Sequence, residues 1–453
     1  MIVSNEKKSV RQLASEILDK VDSRKAYADI LLDRALRTAN LNERDRALLN
    51  ELTYGTLRWR GNIDGRLRQY LRRPLNKTDP LIRNLLRVTF YQLLFLNKIP
   101  DYAAVNEAAQ LAKVHGGAKT AGFVNGVLRN FLREKDRAND NFDKCESAAR
   151  LAVTCSHPEW LVRRWLDEFD ESAQALMRAN NQKAPLVLRV NLLKCTREEL
   201  LERFVKTGIN AKVSPRSPQG ISLASGCAVE KLPGFAEGLF QVQGEASQLI
   251  AYLLSPLPGE RILDACAAPG GKSTHIAELM QDRGQLIAID TSARGVEKIC
   301  QNVARLGLRS LSVLRADASS ELGGALREPY DRVLIDAPCS GLGTLRGHPE
   351  TKWHRNESDI QRLTRLQAKI LTRVAGYLKP GGVVVYATCT LTRDENERMV
   401  ESFLVAHGSF ELQDAARYLP QEARQMVREQ YFLALPHRDD TDGFFAARMR
   451  KIS

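Results

Sequence analysis

No Cys-x-x-Cys pair occurs in this 453-residue chain, although it carries eight cysteines: Cys145, Cys155, Cys195, Cys227, Cys266, Cys300, Cys339 and Cys389. That spacing excludes zinc sites of the usual kind. Scattered thiols in a long chain do not suggest a disulfide framework either, so most are expected to be small buried apolar side chains. No uninterrupted apolar run approaches the ~18 residues that would mark a membrane span. The N-terminal "MIVSNEKKSVRQ" lacks the apolar stretch and small-residue cleavage site of a secretory signal. A cytoplasmic location, no membrane association and no metal are the expectations. Internal repeats and low-complexity tracts are also missing.

What is abundant is positive charge, and it is unevenly spread. The net charge is +13, and residues 1–150 hold 28 Lys and Arg against 18 Asp and Glu, whereas the remaining residues hold 39 against 36. A basic module joined to a nearly neutral one points to a polyanion such as RNA or DNA. Arg58, Arg60, Arg66, Arg68, Arg72, Arg73, Lys77, Arg83 and Arg87 crowd residues 58–87, interleaved with Trp59 and Tyr70 and opposed only by Asp64 and Asp79. That mixture suits phosphate contacts with base stacking. The bland reading is a set of amphipathic helices with core aromatics, and for Trp59 the two weigh equally.

Residues 1–150 read as helical nearly throughout. Apolar residues recur at 3–4 spacing in "SVRQLASEILDKV" and "YADILLDRALRTA". Asp79-Pro80 offers an N-cap followed by Pro at the first helical position, and Gly116-Gly117 offers a stop. A helical connector and a small α+β unit are expected over 151–245, with strands at "LVLRVN", "INAKVS", "GISLAS" and "GLFQVQ" and a helix opened by a Thr196–Glu199 capping box. From 246 to 453 strands and helices alternate, which predicts a doubly wound, mainly parallel, Rossmann-like sheet. A second capping box, Thr392 with Glu395, is expected to open a helix near the end.

The first loop of that α/β region, "LDACAAPGGKSTH", ends in Gly-Lys-Ser and so resembles a triphosphate loop. The loop requires a glycine five positions before Gly271, and Cys266 stands there. Gly-x-Gly-x-x-Gly is missing too. What remains is a Pro269-Gly270-Gly271 turn that lets backbone N–H groups approach a ligand at the carboxyl edge of the sheet. Asp290, 19 residues past Gly271, ends the second strand, where it can accept ribose hydroxyls, and Asp317 ends the third, where it can accept an adenine amine. An adenosine without essential phosphates fits, with S-adenosylmethionine the obvious candidate.

"LIDAPCSG" and "VVVYATCTL" each place a cysteine just past a strand end, on the same crevice. Carbon 5 of a pyrimidine is a poor nucleophile. A thiolate added to carbon 6 makes it a carbanion equivalent able to take a methyl group, and loss of the carbon 5 proton then frees the thiol. A nearby acid such as Asp336 would bond the ring's N3 or amine. Either cysteine alone reads as structural, and only the pair beside an adenosine site inverts that judgement. The residues do not rank Cys339 against Cys389.

"ACAAPGGKSTH", "LIDAPCSGLGTLRGHPETKW", "VVYATCTLTRDENE" and "LPHRDDTDGFFAARM" closely resemble the RNA cytosine-5 methyltransferases, most nearly the bacterial Sun/Fmu type, over almost the whole chain. Residues 1–150 resemble the NusB-like RNA-binding domain that this type carries. The resemblance implies Cys389 as nucleophile and Cys339 as assistant in product release, the reverse of the DNA enzymes. It also implies cofactor contacts at Cys266, Ala267, Ala268, Pro269, Gly270, Gly271, Lys272, Asp290, Asp317 and Asp336. A monomer acting on a cytosine of small-subunit ribosomal RNA, naked or in a partial ribonucleoprotein, is the implied role. Arg346 joins the arginines of residues 58–73 as an implied RNA contact.

Three positions depart from the family pattern. Gly244 stands where an Asp is usual, so a carboxylate contact there is missing or comes from Glu245; Gly347 replaces a second Arg; and Thr390 replaces Ser. The competing readings are an RNA-binding assembly factor with a vestigial site, modification of another RNA such as tRNA, and a nucleotide hydrolase, which Cys266 disfavours.

Overall fold

Residues 8–134, 147–224 and 228–452 are described by a computed structural model, so Cys145 and Cys227 lie outside the described residues. The chain divides into two units, residues 1–182 with 345–355, and residues 183–344 with 356–453. The connector helices thus belong with the N-terminal helices rather than with the small α+β unit.

The first unit is helical. It comprises α1 (Val10–Arg24), α2 (Ala28–Thr38), α3 (Glu43–Leu67), α4 (Pro80–Phe95), α5 (Asp101–Glu134), α6 (Ser147–Thr154), α7 (Glu159–Phe169) and α8 (Ala173–Asn180). Local chemistry sets the boundaries. Asp79 Oδ1 accepts from the Leu81 and Ile82 amides at 3.0 and 3.1 Å, and Pro80, which has no amide hydrogen to satisfy, follows it. Gly117, at φ +75°, breaks α5 where a side chain would be strained. Leu18, Leu49, Leu52, Leu86, Phe90 and Phe131 fill the core, each contributing about 1.5–3 kcal/mol by leaving water.

In the second unit, β1 (Leu186–Val190), β2 (Ala211–Val213), β3 (Gly220–Leu223) and β4 (Phe240–Val242) form an antiparallel sheet in the order β2-β3-β1-β4, joined by α9 (Arg197–Lys206). The Thr196–Glu199 capping box is present at α9. Next come α10 (Glu245–Leu254), β5 (Arg261–Asp264), α11 (Gly271–Leu279), β6 (Gln285–Asp290), α12 (Ala293–Leu306), β7 (Leu311–Arg315), β8 (Tyr330–Asp336), α13 (Thr351–His354, in the first unit), α14 (Glu357–Ala375) and β9 (Leu378–Thr388). The chain ends with α15 (Glu397–Ala406), β10 (Phe410–Gln413), β11 (Val427–Arg428), β12 (Tyr431–Ala434), α16 (Pro436–Asp439) and β13 (Phe444–Lys451). The large sheet runs β11-β12-β13-β9-β8-β5-β6-β7, with β10 on β13. The β7–β6–β5–β8–β9 half is parallel, and β13 turns antiparallel against β9. The short strands β10, β11 and β12 lack an alternation long enough to show in the sequence. Parallel strands set their carboxyl ends on one edge, which collects the site.

Candidate active site

Thr392 and Glu395 do not cap a helix. The helix begins at Glu397 after Asn396, and the Glu395 carboxylate turns inward to accept from the Ser340 amide at 2.8 Å. The basic run is also not one open surface. Arg87 is 4% exposed and donates to Asp64 at 2.7 Å and to Asp22 at 2.8 Å. Arg60 donates to Asp22 at 2.7 Å and lies over Trp353. Arg58 is buried and donates to the carbonyl of Arg346, itself 4% exposed. Helical periodicity turns Arg60 and Arg87 toward acids and Arg58 toward a backbone carbonyl. Arg66 bonds Asn62, and Arg68, Arg72 and Arg73 remain exposed. Trp59 stacks on Phe95 with ring centroids 4.9 Å apart, and Tyr70 packs against Phe131, so both aromatics serve the core.

At the carboxyl edge of the large sheet, Gly270 adopts φ +94° and caps the start of α11, with Ile299 so close that a Cβ would lie 3.1 Å from it. The neighbouring acids are held by the backbone around them. Asp290 Oδ2 accepts from the Ala268 amide at 3.0 Å and Oδ1 from the Ser292 amide at 2.8 Å. Asp317 lies two residues past the end of β7 rather than at it. Its carboxyl accepts from Ser319 at 2.8 Å, and these hydrogen bonds hold it below the usual carboxylate range. Lys272 donates to Asp336 at 2.6 Å and lies 4.8 Å from the Phe444 ring centroid. The lysine that a triphosphate loop would aim at phosphate is therefore engaged by a carboxylate. The acid-rich edge suits the hydroxyl and amine donors of a nucleoside, and an S-adenosyl group fits that donor set.

The strands β8 and β9 are hydrogen-bonded neighbours, so the loops that follow them are adjacent. Cys339 Sγ and Cys389 Sγ lie 3.3 Å apart, both half-buried. The hydrogen bond to Cys389, burial, and the charges of Cys389, Glu395 and Asp336 together push the Cys339 thiol well above its ordinary range. Cys266 is likewise pushed up, first by burial. Of the six described cysteines only Cys155 is buried; Cys195, Cys266, Cys339 and Cys389 are half-buried and Cys300, on the outer face of α12, is exposed, so the expectation of mostly buried thiols is not met.

Some functional geometry was invisible in the sequence. Arg189 of β1, 0% exposed, donates to Glu278 at 2.7 Å, to the Gly271 carbonyl at 2.6 Å and to Thr274 at 3.0 Å, tying the small sheet to the helix after the glycine turn. Glu245 does not replace the missing acid at 244. It accepts from the Arg216 and Ser217 amides, at 2.8 and 3.3 Å, while Asp442 Oδ2 lies 3.4 Å from where a Cβ at Gly244 would stand. Lys352 is buried and donates to the Arg58 carbonyl at 3.0 Å and to Asn181 at 3.1 Å, and burial pushes its amine well below the usual lysine range. Nothing in the sequence marks Arg189 or Lys352, whose partners are distant along the chain.

Residues 251–450 match the family described as 16S rRNA methyltransferase RsmB/F, residues 8–133 the NusB family, and residues 157–230 the ferredoxin-like domain of the RsmF/B-like methyltransferases. A Bacillus subtilis protein named "Probable ribosomal RNA small subunit methyltransferase B" is 39% identical over 98% of this chain and 99% of its own. The chain belongs to the ribosomal RNA small subunit methyltransferase B family. The crystal structure of PH0851 superposes with a TM-score of 0.83 at 26% identity, over 98% of this chain and 99% of that one. NSun6 from Pyrococcus horikoshii, solved with SFG, gives 0.58 at 25% identity over 65% of this chain and 98% of its own. Family membership thus extends over the helical, ferredoxin-like and methyltransferase parts alike. Among the described residues, no helix is long and apolar enough to cross a membrane.

Proposed function

We propose that this protein transfers a methyl group from S-adenosylmethionine to carbon 5 of a cytosine in small-subunit ribosomal RNA, through a covalent bond from Cys389. The observation that carries the reading is the 3.3 Å approach of two thiols at adjacent strand ends, beside a glycine turn and its row of acids. The family name, and the solved relative with an S-adenosylmethionine analogue, support it.

When bound, S-adenosylmethionine supplies an electrophilic methyl group on a sulfonium. Asp290 and Asp317 would accept from its ribose and adenine donors, and the backbone from Cys266 to Gly271, including Ala267, Ala268 and Pro269, would line the nucleoside. The Cys389 thiolate adds to carbon 6, and the displaced π pair moves to carbon 5, which takes the methyl as the sulfonium–methyl bond breaks. Asp336, held by Lys272, accepts from the cytosine amine and so fixes the ring. Cys339 removes the carbon 5 proton, and the electrons of that C–H bond restore the ring double bond and expel the Cys389 thiolate.

Cytosine must leave its stack to meet both sulfurs. Phosphate contacts from Arg68, Arg72 and Arg73 of the helical domain position the RNA without choosing its sequence. Tritium release from carbon-5-labelled cytosine RNA tests the reading. Wild-type protein with its RNA releases the label stoichiometrically with methyl transfer. Binding without release would favour an assembly factor instead.

A further inference from the structure

Glu395 is a carboxylate with no exposed surface, and a buried charge is costly unless it is fully bonded. Its Oε1 accepts from the Ser340 amide at 2.8 Å and from Gln367 Nε2 at 3.0 Å, and its Oε2 accepts from the Ser340 hydroxyl at 2.5 Å and from Thr392 at 2.8 Å. All four donors lie on or against the two cysteine loops. Ser340 follows Cys339, and its hydroxyl lies 2.6 Å from that of Thr390, which follows Cys389. Gln367 also donates to the carbonyl of Pro338, just before Cys339, at 3.0 Å.

The next residue completes the tie. Asn396 accepts from Thr388 at 2.6 Å and donates to the Thr390 carbonyl at 3.1 Å, so it holds both neighbours of Cys389. Tyr386, from within β9, donates to the Glu395 carbonyl at 2.7 Å. The Glu395-Asn396 pair therefore bridges the residues on either side of both sulfurs, and no other part of the fold is bonded to the carboxylate among the described contacts.

We propose that Glu395 is a positioning residue of the methyl transfer, its carboxylate fixing the separation and facing of the Cys339 and Cys389 sulfurs through Ser340 and Thr390. The inference rests on the covalent reading above. A neutral tie would suffice to pack two loops together. A charge at this place also acts on the chemistry, because it favours the protonated form of Cys339 and so keeps a second thiolate from forming beside Cys389 before the adduct does.

The test compares Glu395→Ala and Glu395→Gln in the full chain, with S-adenosylhomocysteine binding as the check of folding. For Glu395→Ala, kcat falls about 100-fold, the scale of a misplaced reacting group, while KM for RNA and for the methyl donor stays within about twofold. Glu395→Gln retains the shape and two of the acceptor positions, and recovers kcat to within about tenfold of wild type. Its pH–rate profile moves to lower pH, since one of the charges that raise Cys339, after the hydrogen bond to Cys389 and burial, is gone. Wild-type kcat in Glu395→Ala, a loss carried by KM alone, or a Glu395→Gln profile superposing on wild type would each overturn the proposal. If Glu395→Ala does not fold, the Glu395→Gln profile decides. Failure of wild type to methylate any RNA would instead sink the covalent reading itself.

Discussion

Cys339 Sγ stands 3.3 Å from Cys389 Sγ, and that contact makes the proton affinity of one sulfur depend on the state of the other. The hydrogen bond to Cys389 is the first cause that raises Cys339, and the charge on Cys389 is another. On the proposed mechanism, bonding Cys389 to carbon 6 would leave its sulfur uncharged, and both causes would weaken. Cys339 would then deprotonate more readily at the stage when a base is needed.

The cysteines should separate cleanly by mutation. Cys389→Ala abolishes methyl transfer, by at least about a thousandfold as expected for loss of a covalent nucleophile, and forms no RNA adduct. Cys339→Ala also turns over poorly but accumulates an adduct that resists denaturing gel electrophoresis. An adduct that survives in the Cys389 variant would reverse the assignment.

Arg189 and Glu278 give a second prediction, one of stability and cofactor affinity together. Their ion pair is almost wholly buried, and Arg189 also holds the Gly271 carbonyl of the glycine turn. Removing one partner leaves an unpaired buried charge, so Arg189→Ala costs about 3–5 kcal/mol in urea unfolding. It also weakens S-adenosylhomocysteine binding measured by calorimetry. The double variant with Glu278→Ala loses less than the sum of the single losses. Additive losses would show that the two side chains act independently.

How much of this was legible in the sequence depended on distance along the chain. The Thr196–Glu199 box and the Asp79-Pro80 cap were readable because a helix start is settled within four residues. Thr392 and Glu395 have the same spacing and failed as a box, because Ser340, 55 residues away, offered the carboxylate a buried pair of donors. The strand-end acids and cysteines were readable because a parallel sheet brings strand ends together whatever the loops do. The pairing of Arg60 and Arg87 was hidden for the converse reason. Asp22 neutralises Arg87 from 65 residues away, and only the packing of α1 on α4 reveals it.

Asp264, at the end of β5, links the site to pH. Burial pushes its carboxyl up to about 7, against the lowering effect of the Ser273 hydroxyl that bonds it at 2.6 Å. The folded chain therefore binds this proton more tightly than the unfolded chain, whose Asp titrates near ~3.9. Stability supplied by the bound proton is lost as pH rises from about 4 to about 7, and the loss is complete above that. Asp264→Asn keeps an acceptor for Ser273 and has nothing to titrate. The melting temperature of the variant minus that of wild type should grow across that window and stay level beyond it. A difference independent of pH would mean the carboxyl is ionised throughout.

The helical domain offers the last prediction, because its arginines fall into two groups that sequence alone could not separate. Arg68, Arg72 and Arg73 are exposed at and after the end of α3, whereas Arg87 is enclosed by Asp22 and Asp64. A cation already neutralised by two carboxylates releases few counterions from RNA, and a solvated one releases close to one each. Replacing Arg68, Arg72 and Arg73 together by Gln should weaken RNA binding and flatten the dependence of log Kd on log salt by about two units, given ~0.7 per phosphate contact on single strands. Thermal stability should change little, since solvated side chains contribute within about 0.5 kcal/mol each. Arg87→Gln should behave in the opposite way, lowering the melting temperature because the half-buried Asp22 and Asp64 lose the cation they share and keep Arg60 beside them, while the salt slope stays put. Binding curves of the two variants, taken from 50 to 300 mM salt (about a sixfold range) alongside melts, settle the matter. A slope unchanged in the triple variant would move the RNA surface elsewhere on the domain.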